Sequence, residues 1–417
     1  MTETTEIPKL KLKPLLYGGY VNMGCDPEFF FTRKGKVIGS EKVLPQEGLK
    51  STEYWGGKFV IDGVQAELNP SPSTCRAAVG NAIRACFKDL HTKILKDNAE
   101  LSADFSQCIE VSKEEMDSLS EKSKIFGCAP STNIYNEGKC KTSVIAVDPK
   151  KYRGRSAGGH IHLGIYPTAN YSYSYGYDDN NSKNNLEKEY LKLAEILVPV
   201  LDIVVGNTCV LIDRAESNKE RRKVYGKAGE FRTKSYGIEY RTLSNFWLRS
   251  HQLTSFVFSL SRLAVHLVQQ STKENDYVKA LFDAVKREDV VKAINENDFD
   301  LAMKNFKAIE DILVMACEGN FGNYPFSRGH MNHFYYFVNK GVDHWFIKDV
   351  MKHWIDCPET HGHGWERWLE CVVAGEYKKL KIDLNESKYK NVVPETDKQD
   401  YVNGYSKTYH PLMPVET

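Results

Sequence analysis

The sequence predicts an α+β fold, on three observations. Short segments of period two open the chain's regular part, in GCDPEFFF, KVIG and KFVIDGVQAELNP. Strand-like pieces return at GGHIHLGIY, GEFRTK and YGIEYRTLS. Between and after them stand long stretches with the 3.6-residue period of amphipathic helices.

Residues 1–20 read as an N-terminal arm without the basic start and apolar block of a secretory signal. Strands fill 21–70, and Pro70 with the following SPST stops the last one. Ser73 or Thr74 is expected to cap the helix that follows, with Val79, Ile83, Phe87, Leu90 and Ile94 on its inner face. The charged stretch 111–124 predicts a solvated helix, and GCAPSTNIY a further strand. The polar, tyrosine-rich run 170–185 reads as a loop, either a solvated insertion or a lid. A core helix kinked by Pro199 spans 186–212, and a second long helix carries Leu253, Phe256, Val257, Leu260, Leu263, Ala264, Leu267 and Val268. The expected organisation is a sheet-based unit over 21–272, a mainly helical region over 273–383 and an irregular tail over 384–417. HGHGW at 361–365 reads as loop or helix-start chemistry, and Trp354, Trp365 and Trp368 as packing residues.

Composition narrows the function classes. In 417 residues, 56 Lys and Arg oppose 55 Asp and Glu, for a formal net charge of +1. That balance gives no support to a general nucleic-acid scaffold. The apolar runs are too short for a membrane span. Ten cysteines without a CxxC pair fit reduced thiols in a cytoplasm better than a disulfide framework or a zinc site.

The chemistry sits in the period-two segments. A strand puts residues i and i+2 on one face. His160 and His162 share a face opposite Ile161, Leu163 and Ile165. Asp26 pairs in the same way with Glu28, Gln65 with Glu67 and Asn69, Glu230 with Arg232, and Glu239 with Arg241. Lining one sheet, these groups need a counter-ion. Carboxylates with one imidazole suit Mg²⁺ or Mn²⁺, and the arginines suit phosphate oxygens. Metals and arginines on a carboxylate-rich sheet describe a nucleoside triphosphate site for phosphoryl transfer. No GxxxxGK[ST] loop is present, which excludes a P-loop enzyme.

The blocks GCDPEFFF, DGVQAELNP, GGHIHLG and YGKAGEFRTKSYGIEYRTLSNFW follow one another as in the phage-type carboxylate–amine ligases. These are the COOH–NH2 ligases of type 2, in the glutamine synthetase and glutamate–cysteine ligase superfamily. The chain resembles them over about residues 20–270, whereas the C-terminal third carries no recognised motif. The resemblance implies a glutamine synthetase-like, mostly antiparallel curved sheet with helices packed behind it. It implies ATP-dependent amide formation through an acyl phosphate, with two or three Mg²⁺ or Mn²⁺ ions, on a small-molecule or peptide carboxylate and an amine. Glu28, Glu67, His160 and Glu239 then look like metal ligands. His162 would lie nearer the nucleotide phosphates, and Arg241 would clamp them. Arg232 would hold the γ-phosphate or the substrate carboxylate, and one of Arg214, Arg221 and Arg222 would reach the phosphates, Arg222 among the candidates for nucleotide contact. Asp26 and Glu230 are the candidate bases for the amine. The resemblance also implies a phage gene acting in a bacterial cytoplasm, and relatives that share sites between subunits leave a homo-oligomer open. The rival readings are a metal-dependent hydrolase using HxH, a guanidino-kinase-like phosphotransferase, and a non-catalytic scaffold retaining the fold.

Overall fold

The computed structural model describes residues 12–14, 21–74, 76–125, 131–136, 141–142, 148–167, 180–271, 276–318, 338 and 349–356. In chain order the strands are β1 (Leu12–Pro14), β2 (Asn22–Cys25), β3 (Glu28–Arg33), β4 (Lys36–Ile38), β5 (Leu49–Lys50), β6 (Gly57–Asp62), β7 (Gln65–Pro70) and β8 (Leu101–Asp104). They continue with β9 (Cys108–Glu110), β10 (Thr132–Asn133), β11 (Lys141–Thr142), β12 (Gly154–Ser156), β13 (Ile161–Pro167), β14 (Glu230–Lys234) and β15 (Gly237–Tyr240). The helices are α1 (Arg76–Leu90), α2 (Lys113–Ser118), α3 (Glu121–Lys124), α4 (Asn180–Leu201), α5 (Asn207–Ile212) and α6 (Ser217–Val224). After them come α7 (His251–Gln270), α8 (Tyr277–Ala284), α9 (Arg287–Asn295), α10 (Phe299–Glu318) and a short helix at Val350–Asp356. The fold is α+β with antiparallel sheets, as the sequence predicts.

Among the described residues the strands form two main sheets rather than one. The first runs β1-β13-β15-β14-β10-β11, with β2 also on β13. The second runs β4-β3-β7-β6-β5, with β8 on β3. A separate pair joins β9 to β12. The expectation that one sheet lines up every candidate residue is therefore corrected. The chain leaves the first sheet at Cys25, turns at Asp26–Pro27, and enters the second at Glu28. Proline has no N–H for a ladder, so pairing breaks there. The corner is closed by Glu28 N donating to Gly158 O at 2.9 Å and Leu68 N donating to Pro27 O at 2.9 Å.

Each sheet buries one face against helices. On the first, Ile161, Leu163, Phe231, Ile238 and Tyr240 are fully buried, and α4 lies over β13, β14 and β15. On the second, Phe29 packs on Phe31, Phe59, Phe87 and Phe105 at centroid distances of 5.3, 5.7, 6.1 and 5.4 Å. Phe87 comes from α1, whose Val79, Ile83 and Leu90 are buried beside it. Helix α7 touches both α1 and α4, so one helical layer backs both sheets.

Local expectations fare unevenly. Ser73 exchanges backbone hydrogen bonds with Met23, so pairing outlasts Pro70 and α1 starts only at Arg76. Pro199 lies inside α4, and a π-helical turn at Asp202–Gly206 follows it. The stretch 111–124 forms two short helices opened by Ser112 and Ser120. It is not simply solvated, since Val111, Met116 and Leu119 are buried with Phe30 and Val64. Asn180 to Asn185 belong to α4 rather than to a loop, while 170–179 lie outside the described residues. HGHGW, Trp365, Trp368 and the tail after 384 also lie outside them. The arm contributes β1 to the edge of β13. Glu187–Ile212 is long and apolar enough to cross a membrane, but 94% of its most apolar window is buried within the fold.

Candidate active site

Strand register builds the site. In the first sheet His162 stands opposite Gly24 on one side and Glu239 on the other, and Glu239 stands opposite Arg232. One rung along, Cys25, Ile161, Tyr240 and Phe231 pair and point the other way, into the helices. The polar face thus carries His162, Glu239 and Arg232 in a row, with Asp26, His160, Arg241 and Glu230 two residues further along their segments. In the second sheet Glu28 pairs directly with Glu67. The β6–β7 turn pairs Asp62 with Gln65, which puts Asp62 on that same face.

Two groups of candidate ligand atoms result. Asp26, His162 and Glu239 offer atoms within 4.8 Å of one another, and so do Glu28, Asp62 and Glu67. Asp26 ties the groups together, since its charge acts on both Glu28 and Glu67. Burial, then the charge of Asp62, pushes the Glu28 carboxyl up to about 8. Burial, then Asp26 and Asp62, pushes Glu67 up to about 9. Burial also raises Asp26, but His160 and His162 outweigh it and hold that carboxyl far below the usual range. Burial opposes ionisation of Glu239 as well, yet Arg241 and His160 bring it down to about 2.

The two histidines answer differently to the chemistry expected of them. His160 is fully buried, and both ring nitrogens face protein partners. Its Nδ1 lies 2.8 Å from Asp26 Oδ1, and its Nε2 meets the Tyr225 hydroxyl. Burial, then Arg241, lowers its pKa to about 4, so the ring is neutral near pH 7. It stands behind the ligand atoms and orients Asp26. His162 is the histidine that joins a ligand group. Its Nδ1 contacts the Tyr236 hydroxyl at 2.5 Å, with the rings stacked at 5.8 Å. Its Nε2 lies 3.0 Å from Asp26 Oδ2 but makes no aligned hydrogen bond. The glycines before the pair allow this closeness. A methyl group on Gly158 would overlap the Tyr225 hydroxyl and come within 2.6 Å of His160 Nε2.

The arginines divide. Arg241 is buried, contacts Glu239 Oε1 through Nη1, donates from Nε to Ser131 Oγ at 2.8 Å, and lies 5.3 Å from the Tyr225 ring. Arg232 Nη1 is 3.8 Å from Glu239 Oε1, while its Nε and Nη2 are buried without a hydrogen-bond partner. Of the three arginines before the block, Arg221 approaches the site, its guanidinium carbon 5.6 Å from the centroid of the same Tyr225 ring. Arg222 instead donates to Asn297 Oδ1 at 2.9 Å, and Arg214 packs on Phe299 and Val338 O. Glu230 Oε2 accepts from Gly226 N at 2.9 Å, so it braces the loop before β14 and is almost wholly buried.

Three participants escape the sequence reading. Asp62 was legible, because a two-residue turn keeps paired residues on one face. Lys234 was legible too, as the next i+2 position after Glu230 and Arg232; its Nζ lies 2.7 Å from Glu239 Oε2. Tyr236 sits in the turn, where period gives no signal.

The donor sets fit hard divalent cations. They are oxygen-rich with one imidazole; burial and the neighbouring charges of Asp62 and Asp26 favour the protonated forms of Glu28 and Glu67, and a divalent cation among them would favour the ionised forms. They do not resemble a two-histidine zinc site, because His160 is taken by Asp26 and Tyr225.

No curated protein matches the chain. Residues 189–339 match the family model described as "Phage phiEco32-like COOH.NH2 ligase-type 2". The matched segment contains Arg232, Lys234, Glu239 and Arg241, and it runs on into the C-terminal third where no motif had been recognised. The blocks with Asp26, Glu28, Glu67, His160 and His162 precede it. By this match, residues 189–339 are similar to the phage phiEco32-like COOH.NH2 ligases of type 2, the family that the four motif blocks resemble.

Proposed function

We propose that the protein is an ATP-dependent carboxylate–amine ligase whose site is the polar face shared by the two sheets. The observation that carries this reading is the adjacency of the two ligand groups, Asp26/His162/Glu239 and Glu28/Asp62/Glu67, to an arginine with unused buried donors. Divalent cations held there would neutralise the triphosphate and the incoming carboxylate. Arg232 directs Nε and Nη2 to the transferring phosphoryl group or the substrate carboxylate, where paired N–H donors match paired oxygens. Arg241 and Arg221 flank Tyr225 and keep positive charge beside it.

The reaction runs in two steps. An oxygen of the substrate carboxylate attacks the γ-phosphorus, the bond to the β-phosphate oxygen breaks, and ADP leaves. The amine nitrogen then attacks the acyl carbon, phosphate leaves with the bonding pair, and the nitrogen gives up a proton. Of the two candidate bases, Glu230 is turned toward Gly226 N, which leaves Asp26 for that role.

The test is calorimetry of ATP binding with and without Mg²⁺, for the wild type, Glu67→Gln and Glu239→Gln, with thermal melting as the control. Mg²⁺-dependent binding should weaken about tenfold or more in each variant, the scale on which lost ligand-sphere groups act. Unchanged binding in both folded variants would overturn the site. Product analysis separates the rival chemistry, because a phosphotransferase leaves a phosphorylated amine and a ligase leaves an amide with free phosphate.

A further inference from the structure

Glu239 is crowded by the protein's own cations. Arg241 Nη1 contacts Oε1, Lys234 Nζ lies 2.7 Å from Oε2, and Arg232 Nη1 lies 3.8 Å from Oε1. The carboxylate of Glu239 is therefore already neutralised at both oxygens. A divalent cation and these side chains compete for one carboxylate.

The three cations differ in freedom. Arg241 is about 1% exposed and is fixed by Ser131 and the Tyr225 ring. Arg232 stands off, with its side chain 19% exposed. The Lys234 side chain is 32% exposed, at the last residue of β14, on a flexible four-carbon stem. It can leave Glu239 without opening the fold. Its position beside Arg232, two residues along the same strand face, directs the released ammonium to the same anion.

We propose that Lys234 is an exchangeable counter-ion. In the protein alone its ammonium holds Glu239. When a divalent cation and a triphosphate arrive together, the cation takes Glu239 and Lys234 moves to a phosphate oxygen beside Arg232. The inference rests on the ligase reading for the identity of the triphosphate, and it adds that the cation and nucleotide bind cooperatively through this side chain. Such coupling is reciprocal: whatever the nucleotide does for the cation, the cation does for the nucleotide.

The probe is Mn²⁺, measured by calorimetry and electron paramagnetic resonance on the full chain, with and without a non-hydrolysable ATP analogue. Lys234→Met should bind Mn²⁺ alone about fivefold more tightly than wild type, since a partly exposed competing charge is worth about that much. The same variant should bind the Mn²⁺-nucleotide pair more weakly, so that the cooperativity between the two falls. Lys234→Gln should behave alike, and adding Glu239→Gln should erase the gain. If wild type binds Mn²⁺ and nucleotide but Lys234→Met binds Mn²⁺ no more tightly, the counter-ion role is overturned and the ligase reading stands. If folded wild type binds neither, both fall.

Discussion

At the scale of the residue, the pair His160 and His162 shows how adjacent side chains of one kind part company. Both lie on the polar face, as alternation requires. His160 is sealed between Asp26 and Tyr225, whereas His162 reaches the ligand group. The expectation had the first histidine on the metal side and the second nearer phosphate; it is the second, His162, whose ring lies among the candidate ligand atoms with Asp26 and Glu239. The carboxylates carry a pH prediction. Free Glu titrates near 4.5, while Glu28 is pushed up to about 8 and Glu67 to about 9. Folded protein therefore holds protons that the unfolded chain releases above pH 4.5 or so. The stability this confers is complete below that pH and is lost as pH rises through about 8 to 9. A divalent cation replaces the protons, so the gain in Tm from Mg²⁺ should grow between about pH 6 and pH 9. Thermal melts across that range test it. A gain that stays flat would mean that neither Glu28 nor Glu67 meets the cation.

At the scale of the element, the site depends on strand pairing, and pairing depends on small residues. Glycines 158 and 159 lead into β13 where Tyr225 and Trp247 come close, and Trp247 Nε1 donates to Gly159 O at 3.1 Å. Gly158→Ala should push Tyr225 off His160, cost about 1–3 kcal/mol of overpacking, and weaken Mn²⁺ binding through Asp26. Urea unfolding with Mn²⁺ titration reads both effects, and a variant with normal stability and affinity would refute the strut. Behind the sheet, the π-turn after α4 places Asp202 so that Oδ1 accepts from Tyr240 at 2.7 Å, between Glu239 and Arg241 in sequence. The helix backing the site is thus bonded to the strand that presents it. Period and proline made the helix legible. The π-turn was not, because an extra residue per turn depends on what the helix packs against.

At the scale of the molecule, two sheets share one helical layer, and the segment Val350–Asp356 is part of it. Trp354 is fully buried, lies tilted against Phe87 with ring centroids 6.1 Å apart, and donates from Nε1 to Leu248 O at 2.7 Å. Beside it His251 and His353 stack at 4.5 Å. Trp354→Ala should destabilise the whole protein by about 3–5 kcal/mol, as large core truncations do. A single cooperative urea transition moved to lower concentration is expected. An unchanged midpoint would show that this helix docks without holding the fold together.

The sequence by itself determined the α+β class, the approximate places of β2–β4, β6, β7, β13–β15, α1, α4 and α7, and which side chains share each strand's polar face. Those follow from local geometry, since i and i+2 always lie together on a strand and i and i+4 on a helix. It also carried the motif order that resembles the ligase family. Only the tertiary structure decided that the acids divide between two sheets at Asp26–Pro27, that Glu28 pairs with Glu67, and that His162 rather than His160 falls among the ligand atoms of Asp26 and Glu239. Likewise, only the fold turned Arg222 away toward Asn297. The meetings of Glu28 with Glu67, of His162 with Glu239 and of Arg222 with Asn297 join residues far apart in the chain. Such meetings are set by sheet pairing and packing, to which no local period points.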